Sequence, residues 1–261
     1  MTAVSPAELL AALPFDTGAA FLAFARVGSM IMAAPALGDA ALSPRLRLAL
    51  ALAVTAVIAP NVLGDYPPGL LEADTTRFAG LLIGEIAIGV FLGLFARVLV
   101  GGLSVAGQII ALQMGLSLAQ IFNPSDNGQG AIVGGFLTLL GAAMIFATDA
   151  HYLLFGAIRD SYVLMAPGAS LPIGDMSEAM TGAVASAFSL GVRLASPFIV
   201  FGVVFYAGAG VLSRMMPQAQ VFFMLAPANL MLGLTLLMLT TGLMMTAFLS
   251  TFEDALAPYL R

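Results

Sequence analysis

From Phe78 to Phe122 the chain is almost continuously apolar, and Glu85 and Arg97 are the only charged side chains in that stretch. Taken as one helix at ~1.5 Å per residue, it would extend roughly 68 Å, over twice the ~30 Å hydrocarbon thickness of a bilayer. A run of this length must face lipid or other apolar protein, and it must either break or leave the hydrocarbon. The pair Gly101-Gly102 is the expected break.

The rest of the chain has the same character. Of 261 residues, 61% are hydrophobic and 9% charged, and the mean hydropathy is +1.04. Soluble domains carry roughly 25% charged residues, so these side chains are too few for a polar shell. The predicted class is an all-α, polytopic integral membrane protein. Every basic residue is arginine, the net charge is −5 and no basic run occurs. A nucleic-acid partner is therefore excluded, as is a polybasic lipid anchor. With no cysteine and His151 as the single histidine, disulfides, thiol catalysis and multi-histidine metal sites are excluded too, and no cofactor is expected. The tail 1–17 has no positive charge, unlike a cleavable signal peptide, so the first apolar segment is expected to remain.

Punctuation divides the chain into about six apolar helical segments within one membrane module, 1–261. They run near 18–34, 46–63, 78–122, 131–148, 179–212 and 221–252. Pro35 stops the first, and Ser43-Pro44 opens the second as cap and first-turn proline. Gly64–Gly69 reads as a loop, Asn123–Gly128 as a polar turn, and Asp149–Glu178 as a mixed loop with short amphipathic pieces. Pro197 predicts a kink in the fifth segment and Pro227 an interruption of the sixth. Arginines divide equally between the two sets of alternating loops, while acids crowd the set holding both termini. That places Arg45, Arg47 and Arg214 on the better cytoplasmic candidate side.

Four charges lie in or near these segments: Arg26, Glu85, Arg97 and Arg193. Each costs about 2.5–3.5 kcal/mol at a helix centre on insertion scales, so each needs a partner or a wet environment. Interhelical pairing is the plainer reading, an ion or proton path the sharper one. Gly80/Gly84 and Gly89/Gly93 both fit G-x-x-x-G, which lets another helix backbone approach closely. Met224, Met231, Met238 and Met245 recur every seven residues and are read as filler in a core or lipid-facing surface, the core reading preferred over a deformable seal. Gln108, Gln113 and Gln120, with Ser104 and Ser117, suit either interhelical hydrogen bonds or a narrow wet passage. His151 beside Asp149 is read as structural before proton relay.

No G-x-S-x-G, H-E-x-x-H or Walker pattern occurs, and the aspartates sit in turns and loops. Enzyme is the least favoured class. Two readings stay open from the residues alone: a secondary transporter with paired broken helices around a midplane site, and a subunit whose packing faces await other proteins.

The order of several segments resembles the flagellar export-gate family FliR, which type III secretion injectisomes share. The match runs through Arg26-Val27-Gly28, Leu42–Arg47, Pro60, Gly84-Glu85 and Ala106–Ser117. It continues through Asn123-Pro124, Asp149-Ala150-His151, Ser161, Arg193–Pro197 and Arg214–Gln218. Departures are Ala219-Gln220, Leu225-Ala226-Pro227 and Tyr152, where the family has other residues. The resemblance implies a core subunit of a heteromeric, helical pore assembly in the bacterial inner membrane, at the flagellar basal body. FliP and FliQ would be its assembly partners, FlhB and FlhA its working partners, and unfolded export substrates its cargo. It further implies that Gln108, Gln113, Met114, Gly115, Leu116, Ser117, Phe122, Asn123 and Pro124 plug or line the channel. Arg214, Pro217 and Gln218 would mark the cytoplasmic entrance. Flagellar use is the implied one, with an injectisome subunit as the alternative.

Overall fold

The computed structural model describes residues 17–38, 42–66, 75–116, 129–216 and 221–259. Among these residues there is no strand. The helices are α1 (Thr17–Ala33), α2 (Pro44–Val62), α3 (Thr75–Gln113), α4 (Gln129–Ala147), α5 (His151–Leu164), α6 (Ile173–Met215) and α7 (Val221–Leu256). Short 3-10 turns follow α2 at Leu63–Asp65 and α7 at Ala257–Tyr259. Four helices, α2, α3, α6 and α7, are long and apolar enough to cross a membrane, and α4 with α5 makes a fifth if counted as one broken span. The protein is thus a polytopic all-α membrane protein, with four or five candidate spans among the described residues.

Two expectations about breaks are corrected. The helix α3 runs unbroken through Gly101-Gly102 and α7 through Pro227, while Pro197, where a kink is expected, stands inside the continuous α6. Glycine costs a helix about 1 kcal/mol relative to alanine. Opening the backbone in an apolar setting strands N–H and C=O groups at several kcal/mol each, so continuity wins. A proline forfeits its own N–H bond, but the rest of the ladder survives around it. Of the third segment, α3 covers residues up to Gln113, and 117–122 lie outside the described residues; in the fifth, α6 begins at Ile173, directly after Pro172. The stretch expected as a mixed loop contains the 14-residue helix α5. At the start of α2, Ser43 accepts from the Leu46 N–H at 3.4 Å and Pro44 occupies the first turn, as its sequence requires.

The chain forms two compact units. One holds Met1–Arg97, Tyr152–Glu178 and Pro258–Arg261; the other holds Val98–His151 and Ala179–Ala257. In the first, α1 buries Gly18, Ala19, Leu22, Ala23, Arg26, Val27, Met30 and Ile31, a four-residue repeat that keeps one broad face inward. α2 turns Ala51, Thr55, Ile58, Ala59 and Val62 inward and leaves Leu48, Leu52 and Val57 exposed. Where α1 meets α3, glycines set the spacing. A Cβ at Gly89 would collide with the Arg26 carbonyl oxygen and Ser29 Oγ, and one at Gly93 would lie 2.6 Å from the Met30 carbonyl oxygen.

The second unit is built the same way. Its α3 portion buries Leu99, Leu103, Ala106 and Ile110 at helical spacing. A Cβ on Gly102 would lie 2.7 Å from the Ala187 carbonyl oxygen, and one on Gly191 2.9 Å from the Gly102 carbonyl oxygen. One on Gly107 would fall on the backbone of Gly134. Lipid tails are as apolar as leucine, so helices here gain little from hydrophobic sorting; close packing and dispersion hold them together.

The methionine heptad is also corrected. Met245 is buried, but Met224, Met231 and Met238 are 72%, 71% and 84% exposed. A seven-residue repeat drifts ~20° per step on a straight helix. The residues of α7 that pack inward are mostly in its second half: Leu237, Met244, Phe248, Phe252 and Leu256.

Candidate functional site

Two polar constellations stand out inside otherwise apolar helices, one in each unit. In the first unit, Arg26 is fully buried at the centre of α1. Its Nε donates to Glu85 Oε2 at 2.5 Å and its Nη2 to Glu85 Oε1 at 2.9 Å, a two-pronged pairing. Nη1 donates to Ser161 Oγ at 3.1 Å and Nη2 also to the Met165 carbonyl at 3.1 Å. The guanidinium lies 4.0 Å from the Tyr162 ring centroid. One arginine therefore fastens α1 to α3, to α5 and to the end of α5. Tyr66, beyond α2, packs edge-on against Tyr162. Burial, more than the neighbouring Tyr162, pushes the Tyr66 phenol far above its ordinary value, so it stays protonated throughout the physiological range.

In the second unit the C-terminus of α3 is locked by its own backbone. Gly115 adopts φ 77°, its N–H donates to the Leu112 carbonyl at 3.1 Å, and the Leu116 N–H donates to the Ala111 carbonyl at 3.0 Å. This is the Schellman pattern, and a side chain at Gly115 would be strained by its φ. Met114 is buried beneath α7, 2.5 Å from where a Cβ on Gly233 would stand. The carbonyl of Gln113 has no turn left to accept from, and Asn229 Nδ2 donates to it at 3.2 Å and to Tyr206 Oη at 3.3 Å. The Gln113 side chain lies against Gly202, whose missing Cβ makes room for it. Asn229 and Tyr206 thus tie α7 and α6 to the end of α3.

The residues singled out from sequence separate clearly. Of the four charges, Arg26 and Glu85 come together, while Arg97 and Arg193 are exposed. Gly89 and Gly93 sit under α1, whereas a Cβ on Gly80 or Gly84 meets nothing within 4 Å. Gln108 is exposed and its Nε2 donates to Ser104 Oγ at 3.5 Å. Gln113 and Leu116 are half-buried. Ser117, Gln120, Phe122, Asn123, Pro124, Pro217 and Gln218 lie outside the described residues. Arg214 is exposed in the last turn of α6, where a cation complements the helix dipole. His151 stacks on Phe146 at 5.2 Å. Among the described residues no group of acids, histidines and cysteines could hold a metal ion.

Sequence reasoning missed Asn229, Tyr206, Tyr66, Tyr162 and the Met165 carbonyl. Asn229 had a signal: it is the lone amide in the apolar course of α7, two residues after Pro227. An amide there must find a partner or pay a desolvation cost of about 1–3 kcal/mol.

Comparison with known proteins gives this architecture a lineage. Residues 17–255 match the family model for bacterial export proteins, family 1. The flagellar biosynthetic protein FliR of Caulobacter vibrioides is 40% identical over 229 residues, covering 88% of this chain and 90% of that protein. FliR of Escherichia coli is 28% identical, covering 81% and 80% respectively. FliR of Bacillus subtilis is 23% identical, covering 89% of each. Matches of this extent, end to end across the helices just described, make the chain a member of the FliR family of bacterial export proteins.

Proposed function

We propose that this chain is a core subunit of the flagellar type III export gate, needed for flagellum assembly, and that it acts without catalysis. It would work in the bacterial inner membrane at the flagellar basal body. There it would assemble with FliP and FliQ, act with FlhB and FlhA, and pass unfolded flagellar subunits. The observation that carries this reading is the 40% identity to a flagellar biosynthetic protein over 88% of the chain.

The arrangement around α3 supports a physical account of the passage. Gln108 and Leu112, four residues apart, occupy one exposed face of α3. Neutral amides and alkyl side chains offer weak, sequence-tolerant contacts, which suits cargo that must move on. Met114 and Gly115 act as anchors that hold the helix end, and Gln113 adds its carbonyl to the Asn229 bond. Gln108, Leu116 and the segment through Ser117, Phe122, Asn123 and Pro124 form the lining, with Arg214, Pro217 and Gln218 at the entrance.

Deletion of the gene is expected to abolish swimming and the appearance of hook and filament subunits outside the cell, with synthesis of those subunits intact. A plasmid copy should restore both. A deletion strain that still exports flagellar subunits, or one whose only defect is uptake of a small solute, would remove the proposal.

A further inference from the structure

A cavity of about 460 Å³ opens in the first unit between α3 and the loop after α5. Its lining runs along α3 from Arg77 through Gly80 and Gly84 to Ile88, and its facing wall is 166–169 with Leu171. We propose that this cavity binds a membrane glycerophospholipid, with the phosphodiester at Arg77 and one acyl chain in the slot below.

Position is the first argument. Arg77 lies two residues inside the start of α3, a helix long and apolar enough to span the membrane. It is exposed, and among the described residues no carboxylate pairs with it. From Arg77 to Ile88 the slot follows eleven residues of helix, roughly 16 Å, a length that an acyl chain fills and a free anion does not. The volume falls within the ~300–1,000 Å³ of sites that hold small molecules.

The walls are the second argument. Gly80 and Gly84 present bare backbone, and nothing stands within 4 Å of a Cβ added at either. Leu81, Ile83, Ile88, Pro167 and Leu171 supply apolar side chains to the rest of the slot. Glu85, also in the lining, has both carboxylate oxygens already engaged by Arg26, so no unpaired carboxylate meets the chain. The facing loop is fixed because Arg26 also holds the Met165 carbonyl at its root. The ion pair that builds the unit therefore also builds the slot.

The test uses the full-length protein purified from membranes, stripped of lipid and titrated in detergent with dipalmitoleoyl phosphatidylethanolamine, read by native mass spectrometry. Wild type should retain one lipid. Arg77→Gln should weaken retention roughly tenfold, the loss of one strong charge-assisted contact. Gly84→Leu, which fills the slot, should abolish retention. Gly135→Leu adds the same bulk at another open glycine, in α4, and should change nothing; thermal melts of all variants should match wild type. Equal lipid retention by Gly84→Leu and wild type overturns the proposal. So does wild type that retains no lipid, or occupancy matched by inorganic phosphate alone. Photocrosslinks from Gly84 that capture a neighbouring polypeptide instead of lipid in the assembled complex also overturn it.

Discussion

Replacing Glu85 with alanine is expected to eliminate most of the folded protein from the membrane and, with it, swimming. The substitution leaves the Arg26 guanidinium fully buried with no counter-charge. Breaking a buried pair from one side costs about 3–5 kcal/mol, a large part of the 5–15 kcal/mol that holds a typical domain. Arg26→Ala should do comparable damage, because it strands Glu85 and releases Ser161 and the Met165 carbonyl. Exchanging the two residues should not rescue, since a carboxylate at position 26 cannot donate to that carbonyl. The double variant Arg26→Met/Glu85→Leu is the informative one. Apolar replacement of both partners is often near neutral, so protein level and melting temperature should recover most of the loss. On this account the pair fastens helices and carries no ions, so swimming should recover in proportion. A double variant that accumulates normally yet cannot swim would instead assign the charges to transport.

The second large effect is expected at Gly107. A Cβ there falls on the backbone of Gly134, which cannot rotate aside as a side chain would. Gly107→Val should force α3 and α4 apart in the second unit and lose the contacts on either side. Overpacking of this kind costs about 1–3 kcal/mol and more where backbone is involved. Gly101→Ala supplies the contrast. Nothing stands within 4 Å of its Cβ, so helix propensity alone applies and the change should be neutral or stabilising by up to ~1 kcal/mol. Melting temperatures in detergent, with swimming-halo diameters, check both; similar behaviour of the two variants would refute packing as the role of Gly107.

How far the sequence could be read follows from these same residues. The cost of a charge in lipid meant that Arg26 and Glu85 each needed a partner or a wet environment. It could not say they were each other's, because they lie fifty-nine positions apart and no local period links them. The G-x-x-x-G spacing marked a groove at Gly89/Gly93 but equally at Gly80/Gly84, and only the three-dimensional path of α1 separates the two. Glycine and proline were misjudged as breaks because their soluble-helix penalties were applied where an open backbone costs far more. The methionine period was real, yet three of its four members face outward, since a period fixes a face and not what covers it. At the end of α3, the glutamines were visible as polar exceptions. The Asn229 bond to the Gln113 carbonyl was not, being set by a contact 116 positions away.

The central claim is that cargo passes along the face of α3 that ends at the anchored turn. It is tested most directly by holding a flagellar subunit in transit, fused to a domain that cannot unfold, in cells carrying photocrosslinkers at single positions. Gln108 and Leu112 are exposed on α3, so a crosslinker at either leaves the packing intact, and both should capture the stalled subunit. Leu139, exposed on α4, should not. Capture from Leu139 with none from Gln108 or Leu112 would contradict the account.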